Sequence, residues 1–190
     1  MTKGLRWRIV SLQVILVLVL GFCAGFLYWG ASFINGMVHD ELVAQQIYFP
    51  PASQIKPGGA LDPAEFSQEI RNYAGQQVDN GDKARVYAND FINVHLTKVA
   101  NGQTYSQVSA AAQADPKNTT LANQANTLFK GETLRGLLLY AWGWSQVGLY
   151  ALYAAIALTI AAIAVLGTLV FELVVAPRRQ SATELRPLPA

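Results

Sequence analysis

Between Arg135 and Glu172 the chain carries no charged side chain, so positions 136–171 are 36 uncharged residues in succession. At about 1.5 Å of rise per residue, a helix over that run would be roughly 54 Å long, against a hydrocarbon core of about 30 Å. A membrane crossing accounts for only part of it. A span of about 20–23 residues counted back from Phe171 begins between Val147 and Tyr150. Trp142, Trp144 and Tyr150 then fall at or above one headgroup level, where aromatic rings concentrate. The preceding stretch, TLRGLLLYAWG, is expected to project beyond the bilayer on the same helix, with its leucines packed against other helices. It reads as a stem coupling an external domain to the membrane.

A second uncharged run, residues 9–38, lies near the amino terminus. Trp7 and Arg8 stand at one end of its apolar core, and Tyr28 and Trp29 at the other, which suits a second span. With 52% hydrophobic and only 14% charged residues, the chain fits a membrane protein better than a soluble one of this length. Cleavage as a secretory signal after GAS (30–32) is the competing reading. Against it, the apolar core from Ile9 to Leu27 is longer than the roughly 7–15 residues of a signal peptide. Cys23 follows Phe22 rather than a small residue, so a lipid-attachment signal is disfavoured. As the sole cysteine, Cys23 leaves the central region without disulfides.

Charge sets the expected orientation. Lys3, Arg6 and Arg8 precede the first span without an acid, and Arg178, Arg179 and Arg186 follow the second against Glu184. Short basic flanks remain in the cytoplasm, whereas a long segment crosses largely regardless of its charge. The expected layout is a cytoplasmic amino terminus at 1–8 and a transmembrane helix at 9–32. An extracytoplasmic helical domain at 33–146, a second transmembrane helix at 147–171 and a cytoplasmic tail at 172–190 follow. The expected fold is all-α, a plasma-membrane protein with two spans flanking a small helical bundle. No basic patch points to nucleic acid. Cytoplasmic ends this short hold no output domain, so any signal would pass through a partner.

Within 33–146, the first helix is expected to continue through 37–46, and YFPPASQIKPGGALDP (48–63) to break regular structure. Asp62, Pro63 and Glu65 predict a helix start carrying Phe66, Ile70 and Tyr73. The strongest soluble helix is expected at 81–102, with Ala84, Tyr87, Ala88, Phe91, His95 and Lys98 on one face and Asn101-Gly102 as the stop. Thr104 and Gln107 form a capping box, and Asp115-Pro116 separates that helix from the next. No useful period-two alternation occurs, so strands are not expected.

Few constellations carry chemistry. Gly21 and Gly25 make a GxxxG, and Ala151 and Ala155 offer small residues on the second span. They suit packing of the two spans or, in a sharper reading, homodimerisation or docking on a larger membrane complex. Glu132 and Arg135 are three apart and can pair, either as a surface ion pair or as a membrane-proximal contact beside Trp142 and Trp144. His39 and His95 are isolated, short of the three or four convergent ligands a metal needs. Asp79-Asn80-Gly81-Asp82 lacks the further ligands of a calcium loop and reads as a turn and helix cap. Asn118-Thr119-Thr120 matches a glycosylation acceptor, a pattern short enough to arise by chance. No catalytic residue, cofactor or metal site is expected.

The order of the blocks YAGQQVDNGDKARVYANDFINVHL (73–96), GQTYSQVSAAAQADP (102–116) and NTLFKGETLRGLLLYAWGW (126–144) resembles a family of actinobacterial two-span membrane proteins. The resemblance implies a helical extracytoplasmic domain between two spans in an actinobacterial plasma membrane. It carries no activity, cofactor or partner onto residues of this chain. Some members bear a ring-opening dioxygenase label, but the clustered histidines and carboxylates of such enzymes are missing from this sequence. The expected function is a non-enzymatic membrane protein serving in protein association or as an accessory to an envelope complex. A ligand-sensing module acting through a partner is the alternative. Mass mapping of the purified native protein should find residues 9–32 retained; a mature chain beginning near residue 33 would remove the first span.

Overall fold

The computed structural model describes residues 3–175. The expected cytoplasmic charges Arg178, Arg179, Glu184 and Arg186 lie outside the described residues. Six α-helices occur in this part of the chain: α1 (Lys3–Ala44), α2 (Gln68–Asn72), α3 (Gly81–Val86), α4 (Asn93–Val99), α5 (Tyr105–Ala114) and α6 (Thr119–Val170). A 3₁₀ turn occupies Ala52–Gln54, and π-helical turns occupy Tyr87–Ile92 and Phe171–Val175. No strand forms among the described residues, only an isolated antiparallel bridge between Tyr48 and Gln77. The chain divides into two compact units whose boundaries fall between Ser32 and Phe33 and between Gly148 and Leu149.

The first unit consists of the amino-terminal part of α1 and the carboxyl-terminal part of α6. Neither helix contains a proline, the residue that most strongly breaks a helix. Both are long and apolar enough to cross a membrane. On α1 a stripe of buried and half-buried side chains runs through Val10, Gln13, Val17, Leu20, Ala24, Leu27 and Ala31, with Ile9 and Cys23 half-buried beside it. The alternating spacing of three and four residues along the stripe is that of a knobs-into-holes seam. Ala155 and Leu169 are the buried positions of α6 in this unit. The other faces are apolar and uncovered, including Leu12, Leu18, Phe22, Ile160 and Ile163.

The second unit is built around one apolar core. Leu42 from α1, Phe49 and Leu61 from the proline-rich connection, Ile70, Val86, Val108, and Leu128 and Leu138 from α6 all meet there. Burying each such side chain contributes about 1.5–3 kcal/mol, which is how a cysteine-free unit holds together. The connection is irregular but firmly tied. Phe49 N–H donates to Gln76 O at 2.9 Å, Val78 N–H to Ile47 O at 2.8 Å, and Gly75 N–H to Pro50 O at 2.9 Å.

Two local expectations are corrected. The helix expected to begin at Asp62 begins instead at Gln68, where the Ser67 hydroxyl accepts from Ile70 N–H. Asp62 serves the preceding turn, its carboxylate accepting from Gly58 N–H at 2.6 Å and Ala64 N–H at 2.9 Å. Those two donors hold its carboxyl below the ordinary carboxylate range, Ala64 contributing most. The helix expected over 81–102 forms, but its middle widens into the π turn at Tyr87–Ile92. One extra residue in a turn rotates everything after it by about 100°. The buried stripe therefore runs Ala84, Ala88, Ile92, Leu96 and Ala100, while His95 and Lys98 face outward.

Other local signals act as the sequence suggests. Asn80 caps α3 through Lys83 N–H at 3.0 Å, and both bonds of the Thr104–Gln107 capping box are present. Asn101 and Gly102 take positive φ after α4. α6 starts after Asn118, whose side chain accepts from Leu121 N–H at 3.1 Å, and runs without a break to Val170.

The rod formed by α3, the π turn and α4 lies close against α6. A Cβ on Gly81 would stand 2.5 Å from Ser145 Cβ and 3.2 Å from Trp142 Cα. Gly81→Ala should therefore destabilise the unit by about 1–3 kcal/mol. Gly136→Ala, where an added Cβ meets nothing within 4 Å, should be neutral or mildly stabilising in the same thermal-unfolding assay. Because the folded-state pKa of Asp62 is depressed, its contribution is complete above the unfolded-state value near 3.8 and is lost as pH falls through the folded one. Asp62→Asn should flatten that part of the acid-unfolding curve.

Candidate functional site

Three concave features stand out, one in the two-helix unit and two in the helical unit. The first is a groove of about 660 Å³ between α1 and α6, lined by Gly21, Ala24 and Gly25 on one side and Ala155, Thr159 and Ala162 on the other. The expected packing residues are only partly at the contact. Ala155 is 3% exposed and Ala151 half-buried, but a Cβ on Gly21 or Gly25 would meet nothing within 4 Å. The seam passes through Ala24, which lies between the two glycines in sequence and leaves both facing the open groove. A glycine pair four apart signals that close approach is allowed; the phase of the seam decides where it occurs.

Two polar contacts tie this unit together. Gln13 Nε2 donates to Thr168 Oγ1 at 3.3 Å, and the Thr168 hydroxyl donates to Val165 O at 2.8 Å. Gln13 Oε1 is buried without a hydrogen-bond partner. Arg6 donates to the backbone carbonyl of Glu172 at 2.6 Å. The acceptor is the backbone carbonyl of Glu172, in the π turn that follows α6, rather than its carboxylate.

The second feature is an apolar groove of about 370 Å³ in the helical unit, between the last turns of α1 and the middle of α6. Met37, Val38 and Leu42 line one wall and Leu137, Leu138 and Ala141 the other, with Glu41 and Gln45 at the edge. The leucines of TLRGLLLYAWG were expected to pack away, and they do so only in part. Leu138 is 1% exposed and Leu139 packs against the core, whereas Leu137 is 63% and Tyr140 66% exposed. Helical geometry forces this, since three consecutive leucines span about 200° of helix and one neighbouring element covers less than that. Tyr140 and Trp144 meet edge to face with centroids 6.2 Å apart, while Trp142 is half-buried.

The third feature is polar. A cavity of about 260 Å³ lies between α4, the turn into α5, and α6. Glu132 and Arg135, expected to pair, do so at 3.3 Å on its wall. Arg135 also donates to Asn89 Oδ1 at 3.2 Å, while its Nε is buried without a partner. Asn89 stands in the π turn, and that wider turn aims it at the guanidinium. Sequence reading found the ion pair but missed Asn93, Gln103 and Tyr105, which share the cavity. Their only local signal was the Asn101-Gly102 stop, which reverses the chain toward Gln103.

Several other titratable groups make local structural contacts. His39 Nδ1 meets Asp79 O at 2.9 Å, and His95 Nδ1 meets Phe91 O at 2.8 Å, its ring 4.5 Å from that of Phe91. Asp79 pairs with Lys83 at 3.0 Å beside the Asn80 cap, so Asp79–Asp82 forms the turn and cap. Burial among Phe49 and Phe91 raises the Tyr87 phenol above its ordinary value. No group of three or more histidine, cysteine, aspartate or glutamate side chains able to hold a metal gathers among the described residues. Comparison with protein-family models, with curated proteins and with solved structures returns no match.

Proposed function

We propose that this chain is a non-enzymatic plasma-membrane protein that associates with another membrane protein as an accessory of a larger envelope complex. In this reading α1 and α6 each cross the bilayer, both termini are cytoplasmic, and residues 33–146 form the extracytoplasmic domain. The uncovered apolar faces of the two-helix unit support the membrane part. Leu12, Leu18, Phe22, Ile160 and Ile163 would each be unfavourable in water and are neutral in hydrocarbon.

The observation that carries the association reading is the groove at Met37, Leu137 and Tyr140. Apolar side chains gathered in a concave surface, with aromatic residues at its edge, have the character of a helix-binding groove. A helix of the partner laid between α1 and α6 would cover Leu137 and Tyr140. A second reading, a ligand-binding module that signals through a partner, is favoured by the polar cavity beside Arg135.

A photo-crosslinking residue at Leu137 or Tyr140, introduced in cells, should yield one discrete protein adduct. The adduct should disappear when Met37, on the facing wall, is changed to lysine. The same probe at the exposed Lys117 should yield none. No adduct at either groove position, with a chain that runs as a monomer after gentle solubilisation, would rule the association reading out.

A further inference from the structure

We propose that the cavity between α4, the α4–α5 turn and α6 binds a neutral polyhydroxylated ligand, one saccharide unit in size. This names the ligand class of the binding reading and rests on it; association through the Leu137 groove stands or falls separately. Size is the first constraint. About 260 Å³ lies below the roughly 300–1,000 Å³ typical of drug-sized ligands, so the occupant is small.

Charge is the second constraint. Among the described residues the full charges on the wall are Glu132 and Arg135, which face each other at 3.3 Å and cancel. A net-charged ligand would gain little from a neutral wall, and either sign would meet one like charge. What the wall offers instead is a density of donors and acceptors. The side-chain amides of Asn93 and Gln103 are held by no hydrogen bond among the described residues, and each supplies both a donor and an acceptor. Carboxylate oxygens of Glu132 and the guanidinium of Arg135 add more of each kind. Vicinal hydroxyls, each donor and acceptor at once, match such a set better than a carboxylate or an ammonium does.

The third observation is an aromatic edge. Tyr105 lines the cavity, its ring held against Phe129 with centroids 5.8 Å apart, and both rings are exposed. The C–H face of a pyranose can lie on such a ring while its hydroxyls reach the amides. The polar wall is also pre-organised. Asn89, placed by the π turn, fixes Arg135, and the absence of a Cβ on Gly131 lets Leu96 approach α6. That close approach brings the α4 side chains of the cavity within reach of Glu132 and Arg135.

The test uses the full chain in phosphatidylcholine nanodiscs, since a maltoside detergent would itself present sugar. Saturation-transfer NMR is run with glucose, galactose, mannose and N-acetylglucosamine, and with acetate and methylammonium as charged probes. At least one sugar should show saturable transfer, and the charged probes none. Asn93→Ala and Gln103→Ala remove side chains that hold no other element, so both variants should fold. Each should weaken sugar binding by about five- to tenfold, the worth of one hydrogen bond. Transfer to none of the four sugars, transfer undiminished in both variants, or stronger transfer to acetate or methylammonium would each overturn the proposal.

Discussion

The helical unit depends on the line along which the α3–α4 rod lies against α6. At Gly81 the absence of a Cβ lets α3 reach Ser145 and Trp142, and at Gly131 it lets Leu96 reach α6. Fifteen residues of rod and eleven to fourteen of α6 separate the two points, so together they fix both position and direction. Side chains grown at either end would lift the rod away and open the core around Ile92 and Leu96. The polar cavity exists because of the same constraint. Held this close, α4 and α6 leave a gap where the chain turns from α4 into α5, and polar side chains line that gap.

Between those contacts the π turn resolves a conflict in the sequence. A regular helix over residues 81–99 would place Tyr87, Phe91, His95 and Lys98 toward the core together. Burying a lysine and a histidine there would carry a desolvation cost with no compensating partner. The extra residue of the turn sends His95 and Lys98 outward, where Lys98 pairs with Glu65. It brings Ile92 and Leu96 inward and turns Asn89 toward Arg135. A packing solution and a polar site come from one irregularity.

The two-helix unit is organised by phase rather than by its most conspicuous residues. Val10, Ala24 and Ala31 mark a seam that repeats every seven residues, with Gln13 and Thr168 as a polar crossing near one end. Gly21 and Gly25 sit one position away from that seam. Small residues beside a seam widen the groove next to it, whereas small residues on the seam close it.

The sequence alone determined what depends on neighbours along the chain. The two apolar runs, the Thr104 and Asn80 caps, the stop at Asn101-Gly102, the Glu132–Arg135 pair and the predominance of helix all follow from spacings of four residues or fewer, or from unbroken composition. Tertiary structure decided whatever depends on phase between distant segments. It moved the α2 start to Ser67 because Asp62 was claimed by Gly58 and Ala64. It inserted the π turn, left Leu137 and Tyr140 uncovered beside Leu138, and drew Asn93, Gln103 and Tyr105 to one cavity from separate elements. Local free energies of about 1 kcal/mol suffice to place a cap. Only the burial of a shared core, summed over residues far apart in sequence, selects how one helix is rotated against another.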